Sequence, residues 1–176
     1  MRDSLGSIDT AMMKQFPSPE GQRARLAGAA PHPVDLPTLL QDLRPGFVLF
    51  IASSASDASR AEWEQVATTL LQKGLVYLVA WGPGCRDVED HFDSAYVNAV
   101  NAEPPLVVPQ NSVVMTTSHA DESLEAALWY AVHAAWPDDA YAENSHSTVM
   151  VAIGNEEWHQ RIETYLAAGA PLVDAA

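Results

Sequence analysis

Four short runs of mainly apolar residues, each followed by a helical pattern, constrain the fold of this chain more than any other feature. The runs occupy residues 47–52, 75–80, 113–117 and 148–153. Consecutive apolar residues over the length of one strand are typical of parallel strands whose two faces are both covered. Strands that alternate with helices join by right-handed crossovers. We therefore predict an α/β fold of the three-layer, doubly wound class, Rossmann-like or flavodoxin-like, with a mainly parallel four-stranded sheet.

The segments between the runs carry helix start and stop signals. Ser59 and Glu62 match a capping box, and the apolar residues after them repeat at intervals of three and four up to Gly74, which predicts an amphipathic helix. The next three units follow the same pattern. We predict that Asp121 caps the helix of the third unit and Asn155 that of the fourth, because short polar side chains accept hydrogen bonds from the first free backbone N–H groups.

Residues 1–45 differ from the rest of the chain, because prolines and glycines interrupt every potential long helix. We interpret residues 1–45 as an N-terminal arm with two short helices, one over 11–16 and one after Asp35. Residues 46–169 then form one α/β domain, and residues 170–176 form a C-terminal tail. The helix-breaking residues are Pro17, Pro19, Gly21, Gly28, Pro31, Pro33 and Pro37.

The charge of the chain limits its partners. Among its 176 residues, 9 Lys and Arg stand against 23 Asp and Glu, which gives a formal net charge of -14. Such a surface repels the phosphates of nucleic acids and the anionic surfaces of membranes, so we predict neither as a partner. It suits solubility, cations or a basic protein partner, whose encounter it would accelerate, and a merely well-solvated surface is the simpler explanation.

Cysteine content and hydrophobicity bear on the compartment and on cofactors. Cys85 is the one cysteine of the sequence, which excludes an intrachain disulfide and any multi-cysteine metal cluster. The start of the chain contains Arg2 and Asp3 but no apolar signal-peptide core, and no apolar run reaches the roughly 20 residues that cross a bilayer. We therefore expect a cytoplasmic protein with no cofactor.

The expected topology predicts where a ligand would bind. In open parallel sheets, ligands bind beyond the carboxyl ends of the strands, where the strand order reverses, and the first strand lies beside that point in both common orders, 2-1-3-4 and 3-2-1-4. Residues 52–57 contain no glycine, so neither the dinucleotide-binding fingerprint nor a P-loop is present there. The predicted ligand-binding residues are those that follow the strands: Ser53, Ser54, Trp81 and Asn155.

Two reactive side chains flank the same predicted cleft. Cys85 begins a helix, where the helix dipole favours a thiolate, and His119 follows the third strand, where it could act as a base, so both are candidate catalytic residues. The acidic neighbours Asp87, Glu89 and Asp90 disfavour a thiolate, and a lone cysteine is more often a small buried hydrophobic residue. Both interpretations stay open at this point.

Carboxylates and histidines gather at the starts of two helices. Asp87 and His91 are spaced to share one helical face, but no HExxH or similar spacing of zinc ligands is present. Carboxylates in a first helical turn are already explained by capping and by the helix dipole. We therefore predict no metal site in the set considered, which comprises Asp87, Asp90, His91, His119, Asp121 and Glu122.

The helix of the third unit carries a second aromatic stripe. Trp129, His133 and Trp136 are offset from the apolar face of that helix. Large apolar patches are seldom left exposed, so something must cover these side chains. The cover is the N-terminal arm, the fourth helix through Trp158, or a partner chain for which the stripe would be the interface.

Two stretches of the sequence resemble a known family. They read TTSHADESLEAALW at residues 116–129, followed by PDD at 137–139, and VAIGNEEW at 151–158. Over residues 46–168 the chain is similar to a family of uncharacterised bacterial domains, a domain of unknown function. The resemblance implies a bacterial, cytoplasmic protein, and it assigns neither a reaction nor site residues.

The sequence supports three hypotheses about function. The acidic surface and the lack of catalytic signatures favour a non-catalytic binding or accessory protein that engages a basic protein partner, for example as an inhibitor or immunity-type protein. The alternative is an enzyme or small-ligand binder that uses the predicted cleft, with Cys85 or His119 reactive. The third is a homodimer whose interface buries Trp129 and Trp136.

Overall fold

The computed structural model describes residues 13–173 and has a mixed α/β fold around a six-stranded sheet. Among the helices of these residues, none is both long and apolar enough to cross a membrane. The strands are β1 (Lys14–Phe16), β2 (Ala24–Ala30), β3 (Phe47–Ala52), β4 (Leu75–Trp81), β5 (Met115–His119) and β6 (Ser147–Ile153). The α-helices are α1 (Leu36–Leu39), α2 (Arg60–Lys73), α3 (Cys85–Val100), α4 (Leu124–His133) and α5 (Glu156–Ala167). Short 3-10 helices span Pro33–Asp35, Ala55–Asp57 and Asp139–Asn144.

The sheet is mostly parallel and larger than the sequence predicts. Its strand order is β1-β2-β6-β3-β4-β5, and β1 alone among these strands runs antiparallel to its neighbour. The prediction of four strands is therefore wrong, because β1 and β2 join the sheet from the segment before residue 45. The predicted helix over 11–16 is also wrong, since residues 14–16 form β1, while residues 11 and 12 lie outside the described residues.

The four predicted strands are β3, β4, β5 and β6, and their order in space is the fourth, first, second and third. Read from the opposite edge of the sheet, this is the order 3-2-1-4, one of the two orders considered above. Because β6 returns to lie beside β3, these two central strands are neighbours although they are far apart in the sequence. The chain leaves β3 towards α2 on one face of the sheet and leaves β6 towards α5 on the other.

Helices cover both faces of the sheet, as the apolar runs predict. On one face, Trp63 and Leu70 of α2 and Phe92 of α3 pack on alternate residues of β3 and its neighbours. On the other, α4 and α5 pack on the remaining alternate residues through Leu128 and Ile162. Every residue of β3 is fully buried, as expected for a strand covered on both sides.

Two of the three predicted helix caps are confirmed. The Ser59 hydroxyl accepts a hydrogen bond from the Glu62 N–H at 3.3 Å, and the Glu62 carboxylate accepts one from the Ser59 N–H at 2.7 Å. Asn155 Oδ1 accepts from the Trp158 N–H at 3.0 Å. The prediction for Asp121 is wrong: Ser123 directly precedes α4 and accepts from the backbone at 3.1 Å, whereas Asp121 lies in the preceding turn.

Strand β5 begins and ends two residues later than predicted. Its position is fixed by pairing with β4, in which Tyr77 aligns with Met115 and Trp81 with His119. The polar edge strand therefore includes His119 as its last residue, and pairing with Trp81 fixes the backbone that carries the imidazole.

Candidate functional site

The carboxyl ends of β3, β4, β5 and β6 meet at one edge of the sheet. The parallel registers align Ala52 with both Trp81 and Ala152, and Trp81 with His119. Ser53, Trp81, His119 and Asn155 therefore all lie at this edge, which we call the carboxyl edge. The helices that follow β3 and β6 lie on opposite faces, so the reversal of chain direction occurs between Ser53 and Asn155.

The loops after β3 and β4 pack against each other and close part of the carboxyl edge. The Ser53 N–H donates to the Trp81 carbonyl at 3.0 Å, and the Ala55 N–H donates to the Pro83 carbonyl at 2.9 Å. Gly82 adopts a φ of +114°, and a Cβ on it would lie 2.2 Å from the Ser53 carbonyl oxygen. The backbone of one loop thus occupies the space into which a ligand on the other loop would have to enter.

The two serines differ in their surroundings. Ser53 is fully buried, and its hydroxyl has no hydrogen-bond partner within the described part of the chain. Ser54 is partly buried, and its hydroxyl pairs with that of Ser56 at 2.8 Å. The Ser54 N–H donates to the Asp57 carboxylate at 2.7 Å. The polar groups of Ser54 are therefore engaged in a local turn.

Trp158 brings two other predicted residues together. The indoles of Trp81 and Trp158 meet edge to face, with ring centroids 5.3 Å apart. Asn155 caps the helix that carries Trp158, and the Trp81 indole N–H donates to the Glu122 carbonyl at 2.9 Å. Trp81 and Asn155 thus connect β4, α5 and the turn before α4.

His119 is a deeply buried ionisable group at this edge. Its side chain is 7% exposed, and its Nδ1 lies 3.0 Å from the Glu122 carboxylate. Because a carboxylate can only accept, Nδ1 carries the proton in the neutral imidazole, which leaves a lone pair on Nε2. Nε2 is buried and has no partner among the described residues. A histidine oriented by a carboxylate, with a free second nitrogen, is the arrangement of a general base.

Two tyrosines line the same region of the α4 face. The His119 ring packs on Tyr130 with centroids 4.5 Å apart, and the Tyr130 hydroxyl pairs with that of Tyr77 at 2.8 Å. Burial, and then the hydrogen bond with Tyr130, raise the pKa of Tyr77 above its ordinary value. Tyr77 therefore stays protonated at neutral pH and acts as a neutral hydrogen-bonding group.

Cys85 and the His119 imidazole lie on opposite faces of the sheet. Cys85 is 1% exposed within the apolar cluster of α2 and α3, whereas the imidazole packs on α4. Burial raises the pKa of the Cys85 thiol, an effect that backbone hydrogen bonding with His119 partly offsets. The structure thus brings the thiol close to the backbone of His119 and does not bring it to the imidazole.

The carboxylates and histidines considered as metal ligands do not converge. Within residues 13–173, no group of three His, Cys, Asp or Glu side chains is placed to hold a metal ion. Glu122 pairs with His119, Asp121 lies 3.5 Å from the Arg86 guanidinium, and Glu89 accepts a hydrogen bond from Ser118.

The members of the aromatic stripe have different surroundings. Trp129 and His133 pack against each other with ring centroids 5.5 Å apart, and the His133 Nε2–H donates to the Ala170 carbonyl at 2.9 Å. Trp136 lies beyond the end of α4 and is 74% exposed. Its ring lies 5.7 Å from the guanidinium of Arg23. Intrachain packing therefore covers the first two residues and leaves Trp136 largely exposed.

A cavity of about 600 Å³ opens beside Trp136, at the amino end of the parallel strands. It lies between the start of β2, the start of β6 and the end of α4. Arg23 and Arg25 line it, and both come from the segment that we interpret as an arm. We call it the arginine cavity and define it by Arg23, Arg25, His133, Trp136, Ser145 and Thr148.

Sequence reasoning did not find the arginine cavity, although one signal was present. Arg23 and Arg25 are separated by one residue, and side chains two positions apart lie on the same face of a strand. The surrounding alanines and the glycine give β2 no β-branched run, so the segment does not have the composition of a strand. A second cavity, of about 370 Å³, lies at the same amino end of the strands, which we call the amino edge, and is lined in part by the loops at 44–46 and 106–109.

Comparison with known proteins supports the resemblance noted in the sequence. No match was found among curated proteins. The sequence profile described as "Domain of unknown function (DUF7684)" matches residues 26–169. The match begins within β2, twenty residues before residue 46, where the resemblance was expected to start. It ends just beyond α5. It spans most of the chain, which therefore belongs to the DUF7684 family of domains of unknown function.

Proposed function

We propose that this protein is a non-catalytic binding or accessory protein that engages a protein partner at the surface around Trp136. The observation that carries the proposal is the exposure of this indole, 74%, at the mouth of a cavity of about 600 Å³. Tryptophan is enriched among the residues that dominate binding energy, particularly where a pocket adjoins it. The other described tryptophans are buried or partly buried.

The charge of the chain supports a basic partner. A net charge of -14 accelerates the approach of a positively charged protein and repels nucleic acids. An inhibitor or immunity-type protein would use such a surface. A homodimer through the same indole is the other protein partner considered, and like charge on both copies would oppose it.

Substitution of Trp136 tests the proposal. Wild type, Trp136→Ala and Val97→Ala would be used to capture proteins from the native host, and the affinity of any stoichiometric partner would then be measured with purified components. Val97 is a matched control because it is 56% exposed on α3, on the other side of the sheet. Loss of a hot spot of about 2 kcal/mol weakens binding roughly thirtyfold.

We expect that weakening for Trp136→Ala and an unchanged affinity for Val97→Ala. Equal binding by both variants contradicts the proposal, as does repeated recovery of no partner. Light scattering on the same proteins tests the dimer, since a monomer across the concentration range rejects it.

A second function is favoured by His119, whose Nε2 is buried and without a partner in the described structure. This is an enzyme or small-ligand binder at the carboxyl edge that uses Ser53, Trp81 and Asn155. A thermal-shift screen with nucleotides, metals and acyl compounds tests it. A ligand at about 100 times its dissociation constant stabilises by about 2.7 kcal/mol, which raises Tm by roughly 5–10 °C. The shift should vanish in His119→Gln and persist in His159→Gln, and a flat screen contradicts this function.

A further inference from the structure

The arginine cavity concentrates positive charge in an acidic protein. Two of the 9 Lys and Arg residues line it, whereas one of the 23 Asp and Glu residues, Asp139, does so. The lining also includes His133 and His146; counted without these histidines, two positive charges and one negative charge give it a net charge of +1. The volume of about 600 Å³ falls in the range of small-molecule sites.

Neither arginine of the cavity is paired with a carboxylate within the described residues. Other basic side chains find acidic partners: Arg161 pairs with Glu125 at 2.7 Å and Arg60 with Glu64 at 2.7 Å. Arg23 and Arg25 instead donate to neutral oxygen atoms. In a chain so rich in carboxylates, two unpaired guanidiniums in one cavity require a different explanation.

The contacts of the two arginines explain part of their role. Arg23 donates to the carbonyl of Ala135 at 2.9 Å, and Arg25 donates to that of Gly169 at 3.2 Å. These carbonyls lie just past the ends of α4 and α5, where a positive charge is favoured by the helix dipoles. Each guanidinium has more N–H groups than these bonds use, so donors remain available to a ligand.

A buried guanidinium charge is costly unless an anion pairs with it. Arg25 is 3% exposed, and burial lowers the pKa of Arg23 below its ordinary value. The Ser145 hydroxyl, which also lines the cavity, is buried with no hydrogen-bond partner among residues 13–173. Buried donors without partners favour a ligand that accepts hydrogen bonds.

We infer that the arginine cavity binds the carboxylate of an organic monoanion whose apolar or aromatic body rests on Trp136. Guanidinium groups hold a carboxylate through parallel hydrogen bonds, and the hydroxyl of Ser145, which lines the same cavity, is a further donor without a partner among the described residues. A monoanion matches the net charge of +1, whereas a phosphate dianion exceeds it and meets stronger repulsion from the rest of the protein. The carboxylate could belong to a free acid or to the protein partner proposed above, so only the second source rests on the proposed function.

A titration with benzoate tests this inference. Benzamide is the matched neutral probe, and inorganic phosphate is the competing anion. Binding would be followed through the Trp136 indole N–H signal by NMR, with that signal assigned by Trp136→Phe. We expect benzoate to shift the signal saturably, benzamide to leave it unchanged and phosphate to bind more weakly than benzoate. Equal effects of benzoate and benzamide, or tighter binding of phosphate, would overturn the inference.

Arginine variants locate the binding. Arg23→Gln removes the charge of the more accessible arginine and should weaken benzoate at least about tenfold, since hydrogen bonds between charged groups are strong. Arg60→Gln, on a surface helix, is the control and should change the affinity less than about twofold. An unchanged affinity in Arg23→Gln would refute the site. Arg25→Lys keeps the charge but loses the planar fork, and should also weaken benzoate while preserving the fold.

Competition separates the two sources of the carboxylate. If benzoate displaces the captured partner, the partner supplies the carboxylate. If benzoate binds without any partner being found, the carboxylate site stands and the proposed protein-binding function fails. If a partner depends on Trp136 but benzoate does not bind, the protein-binding function stands and this inference fails.

Discussion

Gly82 offers a sharp test of how the carboxyl edge is closed. Its φ of +114° is accessible to glycine and strained for other residues, and a Cβ there would lie 2.2 Å from the Ser53 carbonyl oxygen. Gly21 provides a matched control, because it also has a positive φ, +77°, but has no atom within 4 Å of the position of a Cβ. Gly82→Ala therefore adds a steric conflict to a strain that both variants share.

The structure sets the expected difference between the two variants. A non-glycine residue at positive φ costs about 1–2 kcal/mol, which should be the whole effect of Gly21→Ala. In Gly82→Ala the backbone of the loop after β3 must also move, which strains the hydrogen bond from Ser53 to Trp81. Overpacking of this kind costs about 1–3 kcal/mol. We expect a loss of about 2–5 kcal/mol for Gly82→Ala.

Urea unfolding followed by circular dichroism measures both variants. The informative quantity is the difference between the free energies of unfolding of the two variants, compared at equal m-values. We expect this difference to be about 1–3 kcal/mol. Equal losses in the two variants would refute the conclusion that the loops after β3 and β4 are in direct contact. The space at the carboxyl edge would then be open to a ligand.

Three further predictions concern a cap, an ion pair and the thiol. Ser59→Ala should lower the free energy of unfolding by about 1 kcal/mol, because the first turn of α2 loses its cap, and an unchanged urea midpoint would contradict this. The hydrogen bonds from Arg161 lower the pKa of Glu125, so the carboxylate stabilises the fold above its unfolded pKa and loses that effect as pH falls through the folded pKa. The difference in unfolding free energy between wild type and Glu125→Gln should therefore shrink from pH 7 to pH 3, and a pH-independent difference would refute the pairing. Cys85 should react with a disulfide reagent far more slowly in the native protein than in urea, because it is 1% exposed and burial raises its pKa; equal rates would contradict its burial.

The fold could be predicted best where burial on both faces determines the sequence. The strands β3, β4 and β6 are predicted to within one residue because they are covered on both faces and are therefore almost continuously apolar. Strand β5 lies at the sheet edge and is polar, so its register depends on β4 and not on its own composition. Strand β2 pairs with β6 over its whole length and with β1 over residues 25–27, which a segment rich in alanine does not reveal.

The two edges of the sheet differ in what the sequence could reveal. The parallel topology predicts that Ser53, Trp81, His119 and Asn155 lie at one edge, since the ends of parallel strands meet there. Whether this edge is open depends on the close approach of Gly82 to Ser53, a contact between loops that no local pattern encodes. The amino edge is shaped by elements far apart in the sequence, so its cavity could not be predicted.

The contrast between the edges bears on where a ligand would act. At the carboxyl edge, most polar groups are satisfied within the chain, and His119 Nε2 and the Ser53 hydroxyl are the exceptions among the described residues there. At the amino edge, Arg25 is buried without a carboxylate, which costs stability because a desolvated charge is only partly balanced by helix dipoles. An apolar side chain of similar volume would fill the same space without that cost. A charge at this position is therefore explained better by an anionic ligand than by the stability of the fold.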